Sequence, residues 1–155
     1  LVDNHSAFWK ILVPLDGSDY STKALRYAVS IGKKYGSKLM LVHIVISPLY
    51  AYAEGFVMTD HERRLEDEGS NILKKGLEYA KSEGVEAESF LKKGHPSEEI
   101  SNIANEEKYD LIVMGSRGLS GIKIFLLGSV SERVSRFAKC PVMIVKLSGH
   151  MGDSS

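Results

Sequence analysis

Five short apolar runs alternate along this chain with stretches of helical periodicity, and that alternation limits the fold more than any other feature. The runs are residues 10–16 (KILVPLD), 38–46 (KLMLVHIVI), 87–91 (AESFL), 110–114 (DLIVM) and 141–146 (PVMIVK). Runs this short and rich in β-branched residues read as strands, and Pro14 stops the first. Strands that are apolar almost throughout, rather than at every second residue, belong to a parallel sheet covered on both faces. The expected fold is therefore α/β: a five-stranded parallel sheet with helices on both faces, in one domain over 9–147. Residues 1–8 and 148–155 lack periodicity and are expected to be flexible ends.

Helical spacing fills the gaps. From Tyr20 the residues Ala24, Ala28 and Ile31 fall on one face, Ser18 or Asp19 can cap the start, and Gly36 stops the helix. A second helix spans about 60–83, with Leu65, Ile72, Leu73, Leu77 and Ala80 inward and Gly84 at its end. A third opens at Pro96, with Glu98 and Glu99 near its positive end. A fourth covers 129–139, with Val130, Val134 and Phe137 inward.

Composition excludes several classes. Twenty Lys and Arg balance twenty Asp and Glu, so the basic excess that neutralises nucleic-acid phosphates is missing. The single cysteine, Cys140, cannot form an internal disulfide; it is expected to be a small packed residue in a reducing, cytoplasmic compartment. No apolar run approaches the ~20 residues of a membrane span. His5, His43, His61, His95 and His150 have no paired ligand spacing.

One segment departs from this plain pattern. Of the 14 glycines, Gly115, Gly118, Gly121 and Gly128 fall within 115–128, between the fourth strand and the fourth helix. A glycine at a strand end lets a ligand approach the backbone. Gly128 and Ser129 sit where a helix presents unpaired N–H groups and partial positive charge, a ready anion site. Glycines also serve plain turns, but a connection this long that carries Ile122, Ile124, Phe125, Leu126 and Leu127 is more than a surface turn. The spacing is neither that of a P-loop nor G-x-G-x-x-G. Asp16-Gly-Ser resembles an ATP-pyrophosphatase loop only in part, and the acids of a receiver domain are missing. If the first and fourth strands are neighbours, Asp16 meets Gly115 at the point where strand order reverses, and its carboxylate can take ribose hydroxyls; capping its own turn is the other role open to it.

These residues resemble the universal stress protein family, whose ATP-binding members carry G-x2-G-x9-G-[ST], here Gly115, Gly118, Gly128 and Ser129. The flanks agree: Pro14 and Asp16, His43-Ile44, Gly94-His95-Pro96, and the run from Gly128 to Glu132 leading to Cys140-Pro141-Val142. The resemblance covers about 9–147. It implies the adenine-nucleotide α-hydrolase-like, Rossmann-like fold with strand order 3-2-1-4-5. It implies that Asp16 holds ribose with Pro14 and Leu15 as walls, that the Ile44 backbone meets the adenine edge, and that Met114 and Gly115 line the ribose. Gly118, Gly128, Ser129 and Val130 would bind phosphate, with Arg117 and Ser120 close by in the loop. The implied ligand is ATP or AMP with Mg²⁺ held by phosphate oxygens and water. Pairing of the fifth strand, residues 142–146, with a second copy implies a homodimer, since exposed apolar edges are usually covered.

The expected function is a nucleotide-binding regulatory module in a stress response. No Lys or acidic residue is fixed by motif for γ-phosphate chemistry, which leaves a weak ATPase or self-phosphorylating phosphotransferase as the alternative. A dimeric scaffold without nucleotide, acting on an unknown protein client, is the third. Tyr50, Tyr52, Phe56 and Met58, in the loop 46–59, could form a lid or a partner surface.

Overall fold

The structure is a computed structural model and describes residues 7–46, 55, 57–118 and 127–147. Ser120, the aromatic residues of the 46–59 loop and the ends 1–6 and 148–155 lie outside the described residues, so the expectations about them stay there.

Element order is β1 (Lys10–Pro14), α1 (Asp19–Tyr35), β2 (Lys38–Val45), α2 (Asp60–Ser82), β3 (Ala87–Lys93), α3 (Pro96–Glu106), β4 (Leu111–Gly115), α4 (Ser129–Phe137) and β5 (Val142–Val145). All strand pairs are parallel, and the order is β3-β2-β1-β4-β5. Side chains alternate across each central strand and so build two cores. Ile11, Val13, Leu39, Leu41, Leu111 and Val113 pack with Ala24, Leu25, Ala28 and Val29 of α1 and Leu73 and Ala80 of α2. On the other face Leu12, Val42, Ile112 and Met114 pack with Ile100, Ile103 and Ala104 of α3 and Val134 of α4.

The first helix starts where its cap predicts. The Ser18 hydroxyl accepts from Ser21 N–H, and Gly36 closes α1 in the left-handed conformation. Thr59 and Glu62 form a reciprocal capping box on α2. Two glycines inside α2 let it lie close on the sheet. A Cβ on Gly76 would come within 2.8 Å of Leu15 and 2.9 Å of Leu41.

Local expectations at α4, β3 and the sheet edges are corrected. The fourth helix ends at Phe137 rather than 139, because Asn105 of α3 receives Lys139 N–H at 2.8 Å and donates to the Phe137 carbonyl at 3.2 Å. Phe137 itself is 59% exposed, on the outside of α4. β3 runs two residues further than its apolar run, since Lys92 and Lys93 continue the ladder opposite Ile44 and Val45. β3 and β5, at the sheet's edges, are only partly covered. Cys140 is half-buried against the second core, and burial raises its thiol pKa.

Candidate functional site: a cleft where the sheet divides

β1 and β4 pair only at Ile11–Leu111 and Leu12–Ile112. Beyond that point β1 continues beside β2 as far as Pro14–Val42, and β4 beside β5 as far as Gly115–Val145. The carboxyl end of the sheet therefore opens between its two central strands, at the reversal of strand order where parallel sheets hold ligands. A cavity of about 510 Å³ lies there, within the range of small-molecule sites.

The β1 side of the cleft is built by backbone constraint. Pro14 has no N–H to extend the ladder, and Leu15 makes the last bond, donating to Val42 O at 2.8 Å. Gly17 then turns with φ +85°. Asp16 Oδ1 accepts Ser18 N–H at 2.9 Å in an Asx turn. Its second oxygen is left facing Gly118, where a Cβ would sit 2.5 Å from Oδ2. Asp16 thus caps its own turn with one oxygen, and its other oxygen faces the cleft.

The β4 side is built by glycines with different tasks. A Cβ on Gly115 would come 2.6 Å from Tyr20 Cβ and 2.8 Å from the Tyr20 carbonyl carbon, so this glycine makes room for the first turn of α1. Gly128 donates to Ser116 O at 2.7 Å, and the buried Ser131 hydroxyl lies 2.8 Å from the same oxygen. These bonds bring α4 back against the end of β4. Gly128 caps α4 without a side chain, so the first-turn N–H groups at Ser129 and Val130 are open to an incoming acceptor.

Among the described residues, every one expected at a ligand lines this one cavity: Pro14, Leu15, Asp16, Ile44, Met114, Gly115, Gly118, Gly128, Ser129 and Val130, together with Arg117. Sequence reasoning missed the wall from α2 (Leu65, Glu68 and Ile72), the α3 residues Pro96 and Ile100, and His43 and Ser131. The apolar face of α2 was legible, but not which strand ends it covers. Ser131, the third residue of a helix capped by glycine, is the sort of polar first-turn residue that could have been flagged.

Chemically the cleft offers apolar walls for a planar group, a carboxylate for hydroxyls and a helix start for an anion. Among the described residues, no group of three or more His, Cys, Asp or Glu side chains could hold a metal. No helix among them is long and apolar enough to cross a membrane.

Comparison with known proteins agrees with this architecture. The profile of the Universal stress protein family matches residues 7–146. Universal stress protein YxiE of Bacillus subtilis is 40% identical over 147 residues, covering 90% of this chain and 99% of that protein. The solved structure of hypothetical protein MJ0577 superposes with a TM-score of 0.78 at 28% identity, over 94% of this chain and 100% of that one. A universal stress protein solved in complex with cAMP gives a TM-score of 0.72 at 32% identity, over 92% of this chain and 100% of that one. With the profile spanning nearly all of the chain and a relative 40% identical over most of it, this chain belongs to the universal stress protein family.

Proposed function

We propose that this protein is a cytoplasmic regulatory module of a stress response that binds an adenine nucleotide, ATP or AMP, in the cleft between β1 and β4. The observation that carries the reading is the opposition of Asp16 and α4. A carboxylate oxygen faces Gly118, and the uncapped start of α4 supplies N–H groups on the same cavity wall. A nucleotide needs both, an acceptor for ribose hydroxyls and donors for phosphate. The similar protein solved with cAMP supports an adenine nucleotide as the ligand class.

In this reading Asp16 takes the ribose, and Leu15, Met114 and Ile44 wall the base and sugar. Gly118, Gly128, Ser129 and Val130 receive the phosphates, beside Arg117. Mg²⁺ would travel with ATP on phosphate oxygens and water. The protein acts as a regulator rather than an efficient enzyme. The domain over 9–147 pairs with a second copy through 142–146, where Met143 is 36% exposed on the β5 edge, and the dimer serves a protein client.

The test is calorimetric titration of unfolded-and-refolded protein with ATP, AMP and cyclic AMP in Mg²⁺; refolding removes any nucleotide carried through purification. Micromolar binding supports the reading. No affinity for any of the three refutes it and favours the scaffold. Multiple-turnover phosphate release at a useful rate would make the protein an ATPase.

A further inference from the structure

His43 lines the cavity and has no task in the reading above. Its Nδ1 lies 2.7 Å from the Leu15 carbonyl oxygen. A carbonyl can only accept, so Nδ1 carries the hydrogen. The other side of the ring rests on α2 at Gly69, where a Cβ would stand 3.0 Å from Nε2 and 2.9 Å from Leu91. The imidazole is therefore seated between a helix that makes room for it and the peptide group that leads into Asp16.

That peptide group has more than packing value. The Leu15 carbonyl and the Asp16 N–H belong to one rigid plane. Leu15 N–H is already tied to Val42 O at 2.8 Å, and His43 is the next residue of β2. Two successive residues of β2 thus hold Leu15 by its N–H and by its C=O. The orientation of the second plane sets the direction in which the Asp16 side chain leaves the backbone. Asp16 N–H itself has only a long bond, 3.4 Å to Ser21 Oγ, so the carbonyl bond is the shorter of the two restraints on that plane.

We propose that His43 is a positioning residue of the nucleotide site: its Nδ1–H fixes the Leu15–Asp16 peptide plane and so aims the Asp16 carboxylate across Gly118 at the ribose. This rests on the reading that Asp16 takes ribose hydroxyls.

Two substitutions separate the donor from the ring. His43→Asn keeps an N–H at nearly the Nδ1 position and loses the ring; His43→Phe keeps a ring against Gly69 and loses the donor. The full chain is titrated with ATP and with 2′,3′-dideoxy-ATP in Mg²⁺, and thermal melting checks each fold. His43→Asn is expected to bind ATP within about twofold of wild type, and His43→Phe about five- to tenfold more weakly, the worth of one hydrogen bond. With dideoxy-ATP, which offers no ribose hydroxyls to Asp16, all three proteins bind alike. If His43→Phe does not fold, His43→Leu takes its place. The proposal is overturned if the donor-free variant binds ATP like wild type, if His43→Asn loses as much as it does, or if the loss persists undiminished with dideoxy-ATP. Folded wild-type protein that binds neither ligand overturns the nucleotide reading itself, a failure visible without any variant.

Discussion

Gly118→Ala isolates the part of the cleft on which the functional reading depends. Gly118 is not among the residues of positive φ, so alanine meets no backbone penalty, and shrinking the unfolded ensemble contributes about 0.4–1 kcal/mol of stability. What the new methyl meets is Asp16 Oδ2, at 2.5 Å, with Asp16 Cγ next at 3.8 Å. To reach ordinary contact at 3.4 Å the oxygen must retreat by about 0.9 Å. The two carboxylate oxygens lie on opposite sides of the Cβ–Cγ axis, so a rotation that moves Oδ2 moves Oδ1 equally. The 2.9 Å bond from Ser18 N–H to Oδ1 is then stretched, at a cost of about 0.5–1.5 kcal/mol. These opposing effects nearly cancel, and the melting temperature is expected to shift by no more than about 3 °C. Binding has no such compensation. Hydrogen bonds to a charged group contribute about 1.5–3 kcal/mol, so displacing the carboxylate weakens ATP by roughly ten- to a hundredfold. Calorimetry with Mg²⁺ and a melting curve on the same preparation give both quantities. Asp16→Ala provides the reference, and the double variant should bind no worse than Asp16→Ala alone. A Gly118→Ala protein that melts like wild type and binds ATP within twofold of it would refute the reasoning, because the carboxylate would then not be what holds the ligand.

Gly115→Ala should behave oppositely: its methyl meets α1 backbone at 2.8 Å and 3.0 Å, which cannot swing aside, so about 1–3 kcal/mol of stability is lost, read from urea unfolding. Tyr109 has its hydroxyl pKa pushed up to about 12, first by burial and then by the Glu107 carboxylate. The folded value lies above the ordinary 10, so this contribution to stability is intact below pH 10 and is lost as pH rises toward 12; Tyr109→Phe should show a smaller fall in urea midpoint between pH 9 and pH 11 than wild type. Met143→Lys places a charge on the β5 edge; if the proposed pairing through 142–146 holds, light scattering should show dimer for wild type and monomer for the variant.

Long-range partners explain where sequence and structure part. The βα alternation carried the element order, because strand apolarity and helical spacing are local signals, and the capping residue Ser18 sits beside the turn it closes. The end of α4 was not local: Asn105, far away in the chain, takes Lys139 N–H and donates to the Phe137 carbonyl. β3 likewise continues through Lys92 and Lys93 because β2 still offers ladder partners there, and polarity gives no hint of it. In α2, Gly69 and Gly76 read as weak points of a helix, yet they are the places where His43, Leu91, Leu15 and Leu41 enter.

The motif glycines show the same limit within the site. Gly115, Gly118 and Gly128 are equivalent letters in G-x2-G-x9-G-[ST], and the family resemblance implied a ligand for all three. In the structure Gly115 admits the first turn of α1, Gly118 admits a carboxylate, and Gly128 closes onto Ser116 O while leaving α4 uncapped. The pattern therefore joins a folding requirement to a binding requirement, and a chain could need Gly115 whether or not it ever met a nucleotide. Intact glycines are accordingly weaker evidence for binding than the orientation of Asp16 Oδ2, which serves no contact within its own turn. The contrast between Gly115→Ala and Gly118→Ala turns this into a measurement. If both variants lose stability and affinity together, the motif is a packing device; if stability follows residue 115 and affinity residue 118, the cleft was shaped around a ligand.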